Sequence, residues 1–159
     1  MAFLRDDPDA TGPAVTPERV SEVEAETGFR LPESYLNMLR ERNGGEVEKD
    51  CFRTDFPSSW GGDYFQVGLL LGIGPAKASI LDSRYMIDEW QLPVRGLLIS
   101  STPSGHDWVM LDYGDCGPQG EPAVVYVDDQ STDGNVVHRV ADTFADFVAA
   151  LVLPPEDDD

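Results

Sequence analysis

The sequence predicts an α+β fold. It reads as one domain with a mostly antiparallel central sheet, helices at both chain ends and one inserted helix. Three observations predict this. Helical periodicity is confined to the two ends and to residues 75–90. Strand-like apolar runs and alternations fill most of the stretch from residue 46 to residue 128. The strict strand–helix alternation that a parallel sheet requires is missing. A chain of 159 residues suffices for one domain with a real core. That domain is expected over 17–153, between an acidic, proline-containing segment 1–16 and an acidic segment 154–159.

The elements follow in order. "TPERVSEVEAETG" predicts the first helix: Thr16 is placed to cap it, Pro17 fits its first position, Gly28 ends it, and Val20 and Val23 mark its inner face. "RLPESYLNMLRERNGG" predicts a second, started at Pro32, with Tyr35, Leu36, Met38 and Leu39 on one broad face. "NGG" stops it, because Asn and Gly tolerate the left-handed conformation of a C-terminal cap. "EVEKDCF" and "DYFQVGLLLGIG" read as two strands around the loop "RTDFPSSWGG". "PAKASILDSRYMIDEW" reads as the inserted helix, with Pro75 at its start and Ile80, Arg84, Ile87 and Trp90 on nearby turns. Three strands are expected at "GLLISS", "HDWVMLDY" and "PAVVYVDD". In the second, Trp108, Met110 and Asp112 point one way, and Asp107, Val109, Leu111 and Tyr113 the other. The closing helix draws on Val140, Phe144, Phe147, Val148 and Leu151, with Asp142 as cap and Pro154 as stop.

"SGHDWVMLDYGDC" gathers a His, three Asp and a Cys within residues 104–116. As a metal site it fails on spacing. Structural sites take three or four ligands, usually Cys and His pairs at short intervals. Here one His and one Cys are ten residues apart, and Asp107 and Asp112 fall on opposite faces of a strand. "DQSTDGN" at 129–135 imitates the start of a calcium loop, but Val140 occupies the position of the bidentate Glu. "GIGPAK" lacks the third Gly of a dinucleotide fingerprint and the ending of a P-loop. No nucleophile elbow is present, and Cys51 and Cys116 form no C-x-x-C pair. The sequence thus predicts no catalytic residue, no cofactor and no metal.

Charge is the strongest compositional signal. Thirty acids face eleven bases, a formal net charge of −19. Direct binding to a phosphate backbone is disfavoured, because it needs Lys and Arg to release counterions. An anionic membrane is disfavoured for the same reason. A basic protein is favoured, since opposite fields steer encounter. Solubility alone would also account for acidity of this size. No run approaches the ~20 apolar residues of a membrane span. The opening "MAFLRDDPDATG" lacks a signal pattern, so the expected compartment is the cytoplasm.

"LPESYLNMLRERNGG" at residues 31–45 resembles the opening signature of the SUKH superfamily, which includes the yeast Smi/Knr regulators and many bacterial immunity proteins. "LLISSTPSGHDWVMLDY", "EPAVVYVDDQ" and "VADTFADFVAAL" resemble its later segments, in the same order. The match spans about residues 17–152. One departure is the turn Ser104-Gly105-His106-Asp107, where the family often has Gly-Gly-Asp or Gly-Gly-Asn. The resemblance implies an immunity protein that binds and neutralises a polymorphic toxin, often a nuclease or nucleic-acid deaminase. An acidic chain suits the basic cleft of such an enzyme. Loop placement and charge nominate Glu46, Glu48, Asp55, Trp60, Asp63, Asp107, Asp115, Asp128 and Asp129 as partner contacts, with Trp60 as aromatic anchor. A monomer is the expected state. The alternative is a non-catalytic regulatory scaffold of the Smi/Knr type that binds cellular proteins; an enzyme or small-ligand binder is the third reading.

Overall fold

Thr16 is extended, and its hydroxyl accepts from the Arg19 backbone N–H, which opens α1 (Pro17–Thr27). Gly28 closes it in the left-handed region at φ 83°. Val23 is buried and Val20 packs on the core, as the spacing predicts. The computed structural model describes residues 15–47, 49–55, 64–73, 80–92, 95–101, 107–128 and 136–152. Among them are α2 (Glu33–Glu41), α3 (Ser83–Trp90, preceded by a 3-10 turn, Ile80–Asp82) and α4 (Phe144–Ala150). The strands are β1 (Gly45–Glu46), β2 (Cys51–Arg53), β3 (Tyr64–Gln66), β4 (Leu69–Leu70), β5 (Gly96–Ser101), β6 (Asp107–Asp112), β7 (Ala123–Asp128) and β8 (Val136–Ala141).

The main sheet has the order β1-β4-β5-β6-β7-β8, and every pairing is antiparallel. This is the α+β architecture that the sequence predicts. β2 and β3 form a separate two-stranded ribbon. Each expected early strand is therefore two short ones. Four residues separate Glu46 from Cys51, but only two separate Gln66 from Leu69, so the ladder breaks there. Beyond the break the ribbon turns off the main sheet, and its end joins Cys51 to Val152 after α4.

Three local expectations need correction. The second helix ends at Arg42 in extended conformation, and Asn43 is no left-handed cap. Instead Asn43 is buried, and its side chain both accepts from the Ile73 N–H and donates to the Ile73 carbonyl. Gly44, at φ 87°, lies so close that an added Cβ would meet Gly72 N at 2.9 Å. "NGG" thus welds the end of α2 to the end of β4. Secondly, Val140 belongs to a strand. β8 is absent from the sequence reading, because its "VVHRVA" merges with the following helical stripe. Thirdly, Thr143 caps α4 by accepting from Asp146 N–H, and Asp142 does not. Residues 75–79 and Pro154 lie outside the described residues.

The main sheet buries both faces. One carries Val109, Leu111, Tyr113, Val124 and Tyr126 beneath α1, α2, α4 and the ribbon. The other carries Leu98, Trp108, Met110, Val125 and Val127 against Ile87 of α3 and Leu92. The predicted alternation of β6 holds: its two sets of side chains enter the two cores.

Candidate functional site

The strand register shows where the nominated acids lie. Asp107 of β6 pairs with Asp128 of β7, and Asp128 with Val136 of β8. On the other side Trp108 pairs with Ser101, Ser101 with Leu69, and Leu69 with Glu46. The backbones of Glu46, Asp107 and Asp128 therefore share one rim of the main sheet. Asp115 belongs to the opposite rim, just beyond Asp112. Six residues of β6 separate the rims by roughly 17 Å. Asp55 is exposed after β2. Glu48, Trp60, Asp63 and Asp129 lie outside the described residues. Among the described residues, the nominated ones do not form one patch.

Asp107 leaves the list of surface contacts. It is 0% exposed, and its carboxylate accepts from the hydroxyl of Tyr126, also 0% exposed. It faces the inner core because the odd positions of β6 do. A partner cannot reach that carboxylate without opening the sheet.

The opposite rim is a fixed electrostatic cluster. Arg95 Nε donates to both Asp112 oxygens at 3.0 Å, and Arg95 Nη2 stands 3.9 Å from Asp115. Asp112 also accepts from the Gly114 N–H at 2.8 Å, which holds the turn after β6. Tyr113 donates to the Arg30 carbonyl at 2.6 Å, and its ring packs 4.5 Å from Phe29. Burial pushes the Tyr113 phenol up, and Cys116, Glu121 and Glu24 nearby add to this. The exposed Cys116 thiol is also raised, first by local desolvation and then by Asp112, Glu121 and Asp115. A nucleophilic cysteine needs the reverse, a positive neighbourhood that lowers the thiol. The adjacent cleft, between Arg30–Glu33 and Gln119–Glu121, has a volume of about 210 Å³. Ordinary small-molecule sites begin near 300 Å³ and are mostly apolar. Among the described residues no group of three or more His, Cys, Asp or Glu is arranged to hold a metal ion. No described helix is long and apolar enough to cross a membrane.

Among the described residues, arginines pair with carboxylates: Arg19 with Glu22, Arg40 with Glu33, Arg95 with Asp112, and Arg139 with Asp142. These pairs consume part of the small basic complement and leave acids in excess. Large apolar side chains also reach the surface. Tyr85 is 66% exposed and Trp90 38%, both on α3, and Val137 is 39% exposed. Sequence reading placed Trp90 with the buried stripe and overlooked Tyr85. The available signal was "RYMIDEW", in which both aromatics fall off the Ile80–Ile87 line.

The model of the SMI1 / KNR4 family (SUKH-1) matches residues 14–150. The chain belongs to this family. No curated protein and no solved structure gives a significant match. In this SUKH-1 chain the signature residues are structural. Leu31, Tyr35 and Leu39 are buried, Tyr35 donates to the Leu71 carbonyl, and Asn43 clamps Ile73. These contacts fix α2 and the turn after it to the segment that follows β4.

Proposed function

We propose that this SUKH-1 chain is an immunity protein. It binds a cognate protein toxin in the cytoplasm, one to one, and neutralises it without chemistry of its own. The toxin is a basic domain, a nuclease or nucleic-acid deaminase, whose cleft for nucleic acid accepts an acidic protein in place of its substrate. One observation carries this reading: thirty acids against eleven bases on a chain of this family. Fields of that sign steer a basic partner and repel nucleic acid itself. The raised Cys116 thiol and the small polar cleft give no support to an enzymatic reading.

The test is capture from the native cell at low salt, with the tagged chain as bait, followed by assay of what is recovered. The expected result is one basic protein in equal stoichiometry whose nuclease or deaminase activity falls to background as the chain is added. Recovery of several housekeeping proteins and no toxin would replace this reading with the regulatory scaffold.

A further inference from the structure

On α3 residues 85 and 89, and residues 86 and 90, are i,i+4 pairs, and at 3.6 residues per turn the two rows lie side by side on one flank. Here they are Tyr85, Met86, Glu89 and Trp90. Ser83 and Ile87 point into the core, and Met86 is partly buried against it. Arg84 and Asp88 take the other flank, four residues apart and of opposite sign. The first flank is therefore aromatic and apolar, with Glu89 as its one ionised group.

The flank stands over one face of the main sheet. Trp90 packs on the buried Trp108 with ring centroids 5.3 Å apart. Trp108 pairs with Val127, and Val127 with Val137 of β8. Directly opposed residues share a face, so the exposed Val137 lies on the α3 side of the sheet. Val152 aside, every exposed large hydrophobic among the described residues is on this side. A partly exposed Trp with an exposed Tyr on the same helix is the composition of an interface anchor, and Val137 extends the exposed apolar surface on the same face of the sheet.

We infer that the α3 side of the sheet, through Tyr85, Trp90 and Val137, is the surface that seats the toxin. The inference rests on the immunity reading and replaces the loop acids as the centre of contact. The occupant is a basic protein surface. The chain's net charge of −19 selects a positive partner, and Glu89 offers such a partner a carboxylate at the rim of the aromatic patch. A second copy of this chain carries the same charge and is repelled. Loop acids such as Asp55 and Asp115 then steer the encounter and make little close contact.

The experiment uses the full-length chain and the single protein recovered with it, both purified. Dissociation rates are measured for Tyr85→Ala, Trp90→Phe and Trp90→Ala, beside Asp55→Asn and Asp115→Asn. Hydroxyl-radical labelling is compared with and without the partner. Tyr85 lies outside both core clusters, so its removal leaves the fold in place. Trp90→Phe keeps a ring against Trp108. The expected result is dissociation faster by about tenfold or more for Tyr85→Ala and Trp90→Ala, within about twofold for the two Asp variants, and protection of Tyr85, Met86 and Trp90. A stable complex with Tyr85 and Trp90 unprotected and both variants dissociating at the wild-type rate would overturn this inference and leave the immunity reading standing. Recovery of no toxin would overturn both.

Discussion

Phe65→Ala is expected to cost about 3–5 kcal/mol of folding stability, the range for truncating a fully buried aromatic ring. Phe65 is 0% exposed on β3. Its ring stacks 4.3 Å from Tyr126 of the main sheet and 5.2 Å from Phe52 of β2. Phe52 stacks on Phe147 of α4, Phe147 contacts Phe144, and Phe144 meets Tyr35 of α2 edge-on. One line of rings thus joins sheet, ribbon and two helices. Phe65 is its link between the ribbon and the sheet, and the ribbon's own ladder is only three residue pairs long. Removing that ring leaves a cavity the neighbours fill poorly, since each is held by the next ring in line. Urea unfolding followed by circular dichroism reads the loss directly. A loss under about 1 kcal/mol would show that the ribbon contributes little to the core.

Asp107→Ala is expected to destabilise by about 1–3 kcal/mol, because it removes the acceptor used by a buried Tyr126 hydroxyl. Asp107→Asn keeps an oxygen acceptor and should lose less. Asp115→Asn, at an exposed carboxylate, should stay within about 0.5 kcal/mol of the parent. Asp107 and Asp115 look alike in the sequence, as acids near the two ends of one strand. The same unfolding series separates them. An Asp107→Ala protein as stable as the parent would contradict the structural role assigned to that carboxylate.

These two acids show how far the sequence was legible. Periodicity located the four helices of the described residues and the alternation of β6, because burial of one face imposes a period on residue type. Family signatures were legible too, and they proved to be joints of the fold. Burial at the end of a strand was not legible. In the sequence Asp107 follows Ser104-Gly105-His106, a setting in which an Asp is ordinarily expected at the surface, and only the pairing with β7 brings Tyr126 over it. β8 was missed because "VVHRV" runs into the apolar stripe of α4, and no Gly or Pro separates them. Exposure of Trp90 was hidden for a related reason. A Trp one turn from Ile87 reads as core, although it falls off the Ile80–Ile87 line and is 38% exposed. Charge was legible from composition alone, while its division between two rims of the sheet needed the strand register.

The central claim is that this chain neutralises a basic toxin by binding it, with opposite charge bringing the two together. The most direct test titrates the recovered toxin domain with the chain from about 0.01 M to about 1 M salt, over which the Debye length falls from about 30 Å to about 3 Å. The expected result is one-to-one binding that abolishes toxin activity, with an association rate that falls steeply as salt rises. The dissociation rate should change far less. An association rate independent of salt would contradict the account, and so would a complex in which the toxin keeps its activity.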